Sequence, residues 1–191
     1  TVHNRGPETA GLHLIPTLWC RNTWSWGYPS GPMSDVPYKP EMTLSEEGAI
    51  SISHPALGDY KLYVENGPEI LFTENETTEP GQYGKDAFHR YLIDGVQEAV
   101  NPENQGTKAC AVFLLKLEPG ESQEVRCRLA DRTVASPFKT FEKTFRTRRN
   151  EADQFYKTVV NSKLNEDEQL VQRQALAGML WTKQLYYYDV E

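Results

Sequence analysis

Ten residues, Lys108 to Leu117 (KACAVFLLKL), constrain the fold more than any other stretch of the chain. Successive side chains on a strand point to opposite faces. Here both faces are apolar, so the strand belongs at the centre of a sheet that is covered on both sides. Glu118-Pro119-Gly120-Glu121 then reads as a turn, and Gln123 to Ala130 as the return strand of a hairpin. Val125, Cys127 and Leu129 share one face of that strand, and Glu124, Arg126 and Arg128 the other. If the turn pairs Leu117 with Ser122, Cys110 and Cys127 become diagonal neighbours about 7–8 Å apart. That is long for a disulfide, and two buried thiols are expected.

The rest of the chain before Ser136-Pro137 also reads as β-structure. Leu12 to Trp19 is an apolar run suited to a buried strand. Ala49 to His54 alternates with period two, and Tyr60–Glu65 and Ile70–Glu74 are strands separated by the turn signal Asn66-Gly67-Pro68. Beyond Pro137 the period becomes helical. Phe138, Phe141, Phe145, Ala152, Phe155, Tyr156 and Val159 form one stripe. A second helix opens at Asn165, a good N-cap, with Glu168 placed for a capping box and Glu166 and Asp167 suited to the positive helix end. Its apolar residues, Leu170, Val171, Leu176, Met179, Leu180, Trp181, Leu185 and three tyrosines, wrap most of the cylinder. A helix apolar nearly all round is buried among other elements. Only one other long helix is visible in the sequence, so a larger helical body is expected to cover it.

Composition narrows the function classes. The 191 residues carry a net charge of −7 and no block of Lys or Arg, whereas nucleic-acid binding needs a basic face. Arg146, Arg148 and Arg149 are followed at once by Glu151 and Asp153, as on a solvated helix face. No apolar run reaches the roughly 18 residues of a membrane span, and no secretory signal opens the chain. The first residue is Thr1, which reads as a processed or excised chain. Three widely spaced cysteines, with no CxxC and no HExxH, suggest free thiols in a reducing, cytoplasmic compartment, and imply neither metal nor cofactor. The four histidines, at 3, 13, 54 and 89, read as structural.

Leu18 to Tyr28 (LWCRNTWSWGY) holds three of the four tryptophans. In an extended chain Trp24, Trp26 and Tyr28 point the same way, and the glycines and prolines after them make a loop. Two readings stand: packing against a missing domain, or contact with a sugar through aromatic faces. Arg21 could orient a sugar or pair with a carboxylate such as Glu8. Lys108 comes after a polar loop, where it either reaches a substrate hydroxyl or simply opens the strand. Glu74, Glu76 and Glu79 have a spacing that does not forbid an acid–base pair, yet they read as loop carboxylates. Asn75-Glu76-Thr77 fits a glycosylation acceptor, a pattern short enough to arise by chance.

Several blocks carry a family likeness: HNRGPETAGLHLIPTLWCRNTWSW, ILFTENET, AVNPENQGTKACAVFLLKLEPGES, RRNEADQFY and RQALAGMLWTKQLYYYDVE. Together they resemble bacterial glycoside hydrolase family 63 proteins, glucosidases similar to mannosyl-oligosaccharide glucosidase or mannosylglycerate hydrolase. The resemblance implies a β-sandwich (supersandwich-like), a linker helix, and then an (α/α) toroid of helical hairpins that bears the catalytic acid and base. This chain would hold part of the sandwich (1–136), the linker helix and the first toroid helix (137–191), and stop before either catalytic carboxylate. More sequence would precede Thr1. The parent would hydrolyse α-glucosides or related α-glycosides by inversion, without a metal, in a bacterial cytoplasm. The fragment would cover the toroid, with Trp24, Trp26, Tyr28, Arg21 and Lys108 as candidates for the sugar rim. A stand-alone carbohydrate-binding or protein-interaction module using the tryptophan loop is the alternative.

Overall fold

A computed structural model of the chain describes residues 1–26, 39–77 and 83–182. It is mainly β, a β-sandwich followed by C-terminal helices, and divides into two compact units, Thr1–Phe138 and Lys139–Glu191. The strands are β1 (Val2–His3), β2 (Ala10–Leu14), β3 (Thr17–Trp19), β4 (Glu41–Leu44), β5 (Ile50–His54), β6 (Gly58–Val64), β7 (Glu69–Thr73), β8 (Gln105–Gly106), β9 (Lys108–Leu117), β10 (Ser122–Gln123) and β11 (Cys127–Ala130). The helices are α1 (Ala87–Leu92), α2 (Phe141–Val159) and α3 (Glu166–Trp181).

β9 is the central strand, as its two apolar faces require. β7 pairs along one side of it, and β2 and β3 pair along the other, all antiparallel. A five-stranded antiparallel sheet, in the order β11-β6-β5-β4-β8, forms the opposing layer. Met42, Ile50, Ile52 and Leu62 from that layer pack on Phe72 and Ala109. The other face of the β9 sheet carries a second core, in which Leu71 and Cys110 pack on Ala87 and Phe88 of α1 and on Ala99 and Val100. Period two therefore distributes β9 between two cores, Ala109 to one and Cys110 to the other.

Two strand expectations are corrected. Leu12 to Trp19 is not one buried strand. It breaks at Ile15-Pro16 into β2 and β3, with the Pro16 carbonyl accepting the Ala111 N–H at 3.1 Å, and Leu12 and Trp19 are exposed. Proline has no N–H to continue the ladder, which makes this an edge. The expected hairpin partner of β9 also goes elsewhere. β10 pairs with β1, and β11 crosses to the edge of the five-stranded sheet, with Cys127 opposite Val64. Both sides of β9 are already occupied by β7 and by β2 with β3, so the return strand has no edge to join. Cys110 and Cys127 consequently lie on different cores. All three cysteines are free thiols, with Cys110 buried and Cys20 and Cys127 half-buried. Asn66 and Gly67, both at positive φ, turn the chain from β6 in one sheet to β7 in the other.

In the second unit, α2 begins at Phe141, one turn after the stripe starts at Phe138. Arg173 of α3 bonds Asp153 of α2 at 2.7 Å and sits 4.7 Å over the Tyr156 ring. The capping box at α3 is present as read: the Glu168 N–H donates to Asn165 Oδ1, and the Asn165 N–H to Glu168 Oε2, both at 3.0 Å. No described residue of α3 is buried, and Met179 and Trp181 are 76 % and 85 % exposed. Leu185 and the three tyrosines lie outside the described residues. Among the described residues no helix is long and apolar enough to cross a membrane.

Candidate functional site

Polar side chains from several distant segments meet beside the end of β7. Thr73 closes that strand fully buried, its hydroxyl donating to the Gly84 carbonyl at 2.7 Å. The Thr107 N–H donates to the Thr73 carbonyl at 3.1 Å. This approach requires glycine at 106, because a Cβ there would lie 2.4 Å from the Thr73 oxygen. The chain then leaves the sheet through Glu74-Asn75-Glu76.

Asn75 is the hub of a hydrogen-bond network. Its N–H donates to Thr107 Oγ1 at 2.7 Å, and the Thr107 hydroxyl donates its own proton to Glu74 Oε2 at 2.9 Å. The Asn75 side-chain amide donates to the Cys20 carbonyl at 3.0 Å, while the Asn22 amide donates to the Asn75 carbonyl at 2.7 Å. Asn22 Oδ1 in turn accepts from the N–H and hydroxyl of Ser25, starting a 3-10 turn over Trp24–Trp26. The Trp24 indole N–H donates to Glu76 Oε1 at 2.6 Å. Lys39 reaches the same oxygen at 3.0 Å and Glu74 at 3.4 Å. Burial pushes the Glu76 carboxyl up, but the bonds from Trp24 and Lys39 and the Lys39 charge outweigh it, so it sits below the usual range. Burial likewise draws Lys39 down, and its two carboxylate partners more than reverse this.

Of the candidate residues, Trp24 and Lys108 are engaged by different partners. A 3-10 turn has three residues per turn, so the extended spacing that would align Trp24 with Trp26 is absent. Trp24 is half-buried with its N–H engaged. Tyr28 and Glu79 lie outside the described residues. Arg21 is exposed. Lys108 opens β9 directly opposite Trp19 of β3. Its ammonium donates to the Lys85 carbonyl at 2.8 Å and stands 5.0 Å over Phe88. The glycosylation pattern is closed as the chain is folded, since the Asn75 amide is half-buried and bonded to Cys20. Thr107, Asn22 and Lys39 escaped the sequence reading. The signal for Thr107 was a small polar residue wedged between Gly106 and an apolar strand. Asn22 has the Asx-turn spacing to Ser25, and Lys39 carried no local signal.

Recesses flank this hub on two sides. One of about 380 Å³ is lined by Lys39, Glu74, Gln105 and Thr107 among others. Another of about 400 Å³ lies between Trp19, Asn75, Asp86 and Lys108. A third, of about 490 Å³, covers the outer face of the five-stranded sheet at Thr43, Ser51, Ser53 and Lys61. It is the solvated half of the strand alternation, and its Lys61 is tied to Glu47 at 3.1 Å. Glu74 and Glu76 converge, but on one lysine. A general acid for glycoside cleavage needs a raised pKa, and Glu76 is held on the opposite side of its usual value. Among the described residues no group of three or more His, Cys, Asp or Glu is placed to hold a metal.

Over its whole length the chain is similar to the uncharacterized protein YMR196W of Saccharomyces cerevisiae, at 33 % identity over 235 aligned positions. The match takes in 21 % of that relative, so the chain spans about a fifth of its length. No protein-family model matches the chain, and no solved structure matches it.

Proposed function

We propose that this chain is the non-catalytic β-sandwich portion, with its linker helix and first toroid helix, of a family 63-type α-glycosidase. The observation that carries the reading is α3. A sandwich is followed by a well-capped helix whose Leu170, Val171, Met179, Leu180 and Trp181 are all exposed. Monomeric proteins rarely leave a helix open with apolar residues on so many sides, and a further layer of toroid helices is the cover this reading supplies. The order of elements, strands then helices, agrees with it. So does the similarity to a relative of which this chain spans about a fifth. The state of Glu76 fits too, because the reading puts the acid and base outside this chain.

The test compares the 191 residues with the complete product of the gene that encodes them. Glucose release from a panel of α-glucosides is followed by NMR, so that the anomer formed first is seen. Inverting turnover by the complete product and none by the 191 residues supports the proposal. Saturable turnover by the 191 residues alone defeats the non-catalytic part, and an inert complete product defeats the glycosidase part.

A further inference from the structure

The recess between β3, the start of β9 and α1 is built differently from the network around Glu76. Trp19 and Lys108 are cross-strand partners, so their side chains share a face about 5 Å apart at Cβ. Trp19 is 57 % exposed, although the neighbouring part of that face is covered by α1. Lys108 is half-buried over the ring of buried Phe88. Among the described residues its ammonium donates to one neutral carbonyl, and no carboxylate lies within ion-pair distance of it. Burial draws its pKa down, the Lys85 charge acts the same way, and Asp86 and Cys110 oppose. A partly desolvated ammonium with donors to spare favours an anionic partner. Asp86 and Asn75 border the same space with groups suited to hydroxyls. A volume of about 400 Å³ falls in the range of small-molecule sites.

We propose that this recess binds a small anionic sugar, its ring stacked on the Trp19 indole, its anionic group between Lys108 and Lys85, and its hydroxyls toward Asn75 and Asp86. The indole offers apolar area to the C–H face of the ring. The two lysines choose the charge, and Asp86 repels the anionic group toward them. Carboxylate and phosphate satisfy the lysines alike. The inference is independent of the glycosidase reading, since it concerns binding to this chain and no hydrolysis.

The test is calorimetric titration of the 191-residue chain with D-glucuronate, D-glucose 6-phosphate and D-glucose at low salt. Saturable binding of at least one anion, with glucose tenfold or more weaker, is the expected result. Binding of glucuronate alone assigns the carboxylate, and of glucose 6-phosphate alone the phosphate. Lys108→Met should weaken the anion by about tenfold or more, and Lys108→Arg should retain it. Trp19→Ala removes an exposed side chain, so it tests the platform without a core cavity, and it too should weaken binding by about tenfold. Three results overturn the proposal: neither anion binds, glucose binds as tightly as its anionic counterparts, or Trp19→Ala leaves the affinity unchanged.

Discussion

Gly106→Ala should be among the most costly single-methyl additions in the first unit. Glycine is not required at 106 by a positive φ, so the cost is steric. The new Cβ would meet the Thr73 oxygen at 2.4 Å, its carbonyl carbon at 2.9 Å and its nitrogen at 3.2 Å. All three are backbone atoms, which cannot rotate away. Thr73 is fully buried and bonded to Gly84, and Phe72 before it is fully buried in the core, so β7 has little freedom to retreat. Overpacking of this kind costs about 1–3 kcal/mol. Parting the strands also stretches the Thr107 N–H bond to Thr73, for about 1 kcal/mol more. The assay is urea unfolding followed by tryptophan fluorescence in a Trp181→Phe background, where the remaining tryptophans all report on the first unit. A loss of about 2–4 kcal/mol lowers the midpoint by about 1–2 M. Gly178→Ala is the control, because a Cβ there meets nothing within 4 Å and the site is helical. It should leave the first-unit midpoint unchanged and stabilise α3 by about 0.5–1 kcal/mol, read by far-UV dichroism. A Gly106→Ala midpoint within about 0.3 M of the parent would refute the close-approach argument.

The network, the cap and the thiols each carry a further prediction. Glu76 binds its proton more weakly folded than unfolded, so its contribution to stability is present above the ordinary glutamate value of about 4.3 and is lost as pH falls through the folded value. Glu76→Gln should therefore lower stability at neutral pH and flatten the acid limb of the stability curve. An acid limb that superimposes on the parent's would sink this. Asn165→Ala should cost about 1 kcal/mol, whereas Asn165→Ser should keep most of it, as read by thermal loss of far-UV dichroism. Equal loss in both variants would rule out the cap as the cause. Burial pushes the Cys110 thiol up to about 12, with Lys108 opposing. At pH 8 roughly one molecule in ten thousand then carries the thiolate, so iodoacetamide should reach Cys110 only after unfolding. Rapid labelling of Cys110 in the folded chain would show that it is not sealed.

The features legible in the sequence are those whose cause is local. The double-sided apolar run 108–117 could only be a central strand, whatever its partners. Asn165 and Glu168 close a capping box because both bonds fall within one turn. The left-handed turn at Asn66-Gly67 needs only the backbone freedom of those two residues. The tryptophan segment shows the limit of such reading. Alternation suits Trp24 and Trp26 in an extended chain, but Asn22 Oδ1 captures the Ser25 N–H at 3.1 Å and tightens the chain into a 3-10 turn instead.

What the sequence alone determined was the type of the long strands and of the two long helices, because hydrophobic period and caps act over a few residues; α1, inside a stretch read as β-structure, and the short strands β1, β4, β8 and β10 left no such signal. Tertiary structure decided which elements meet. Residues 127–130 joined β6 rather than β9, since pairing depends on which sheet edge is free and not on which strand is nearest along the chain. The candidate site was decided in the same way. Trp24, Lys39 and Glu76 lie far apart in sequence, and Trp19 faces Lys108 from the other end of the sandwich unit. Their encounters depend on strand register and on the contact of Gly106 with Thr73, long-range quantities that leave no periodic trace in the amino-acid order.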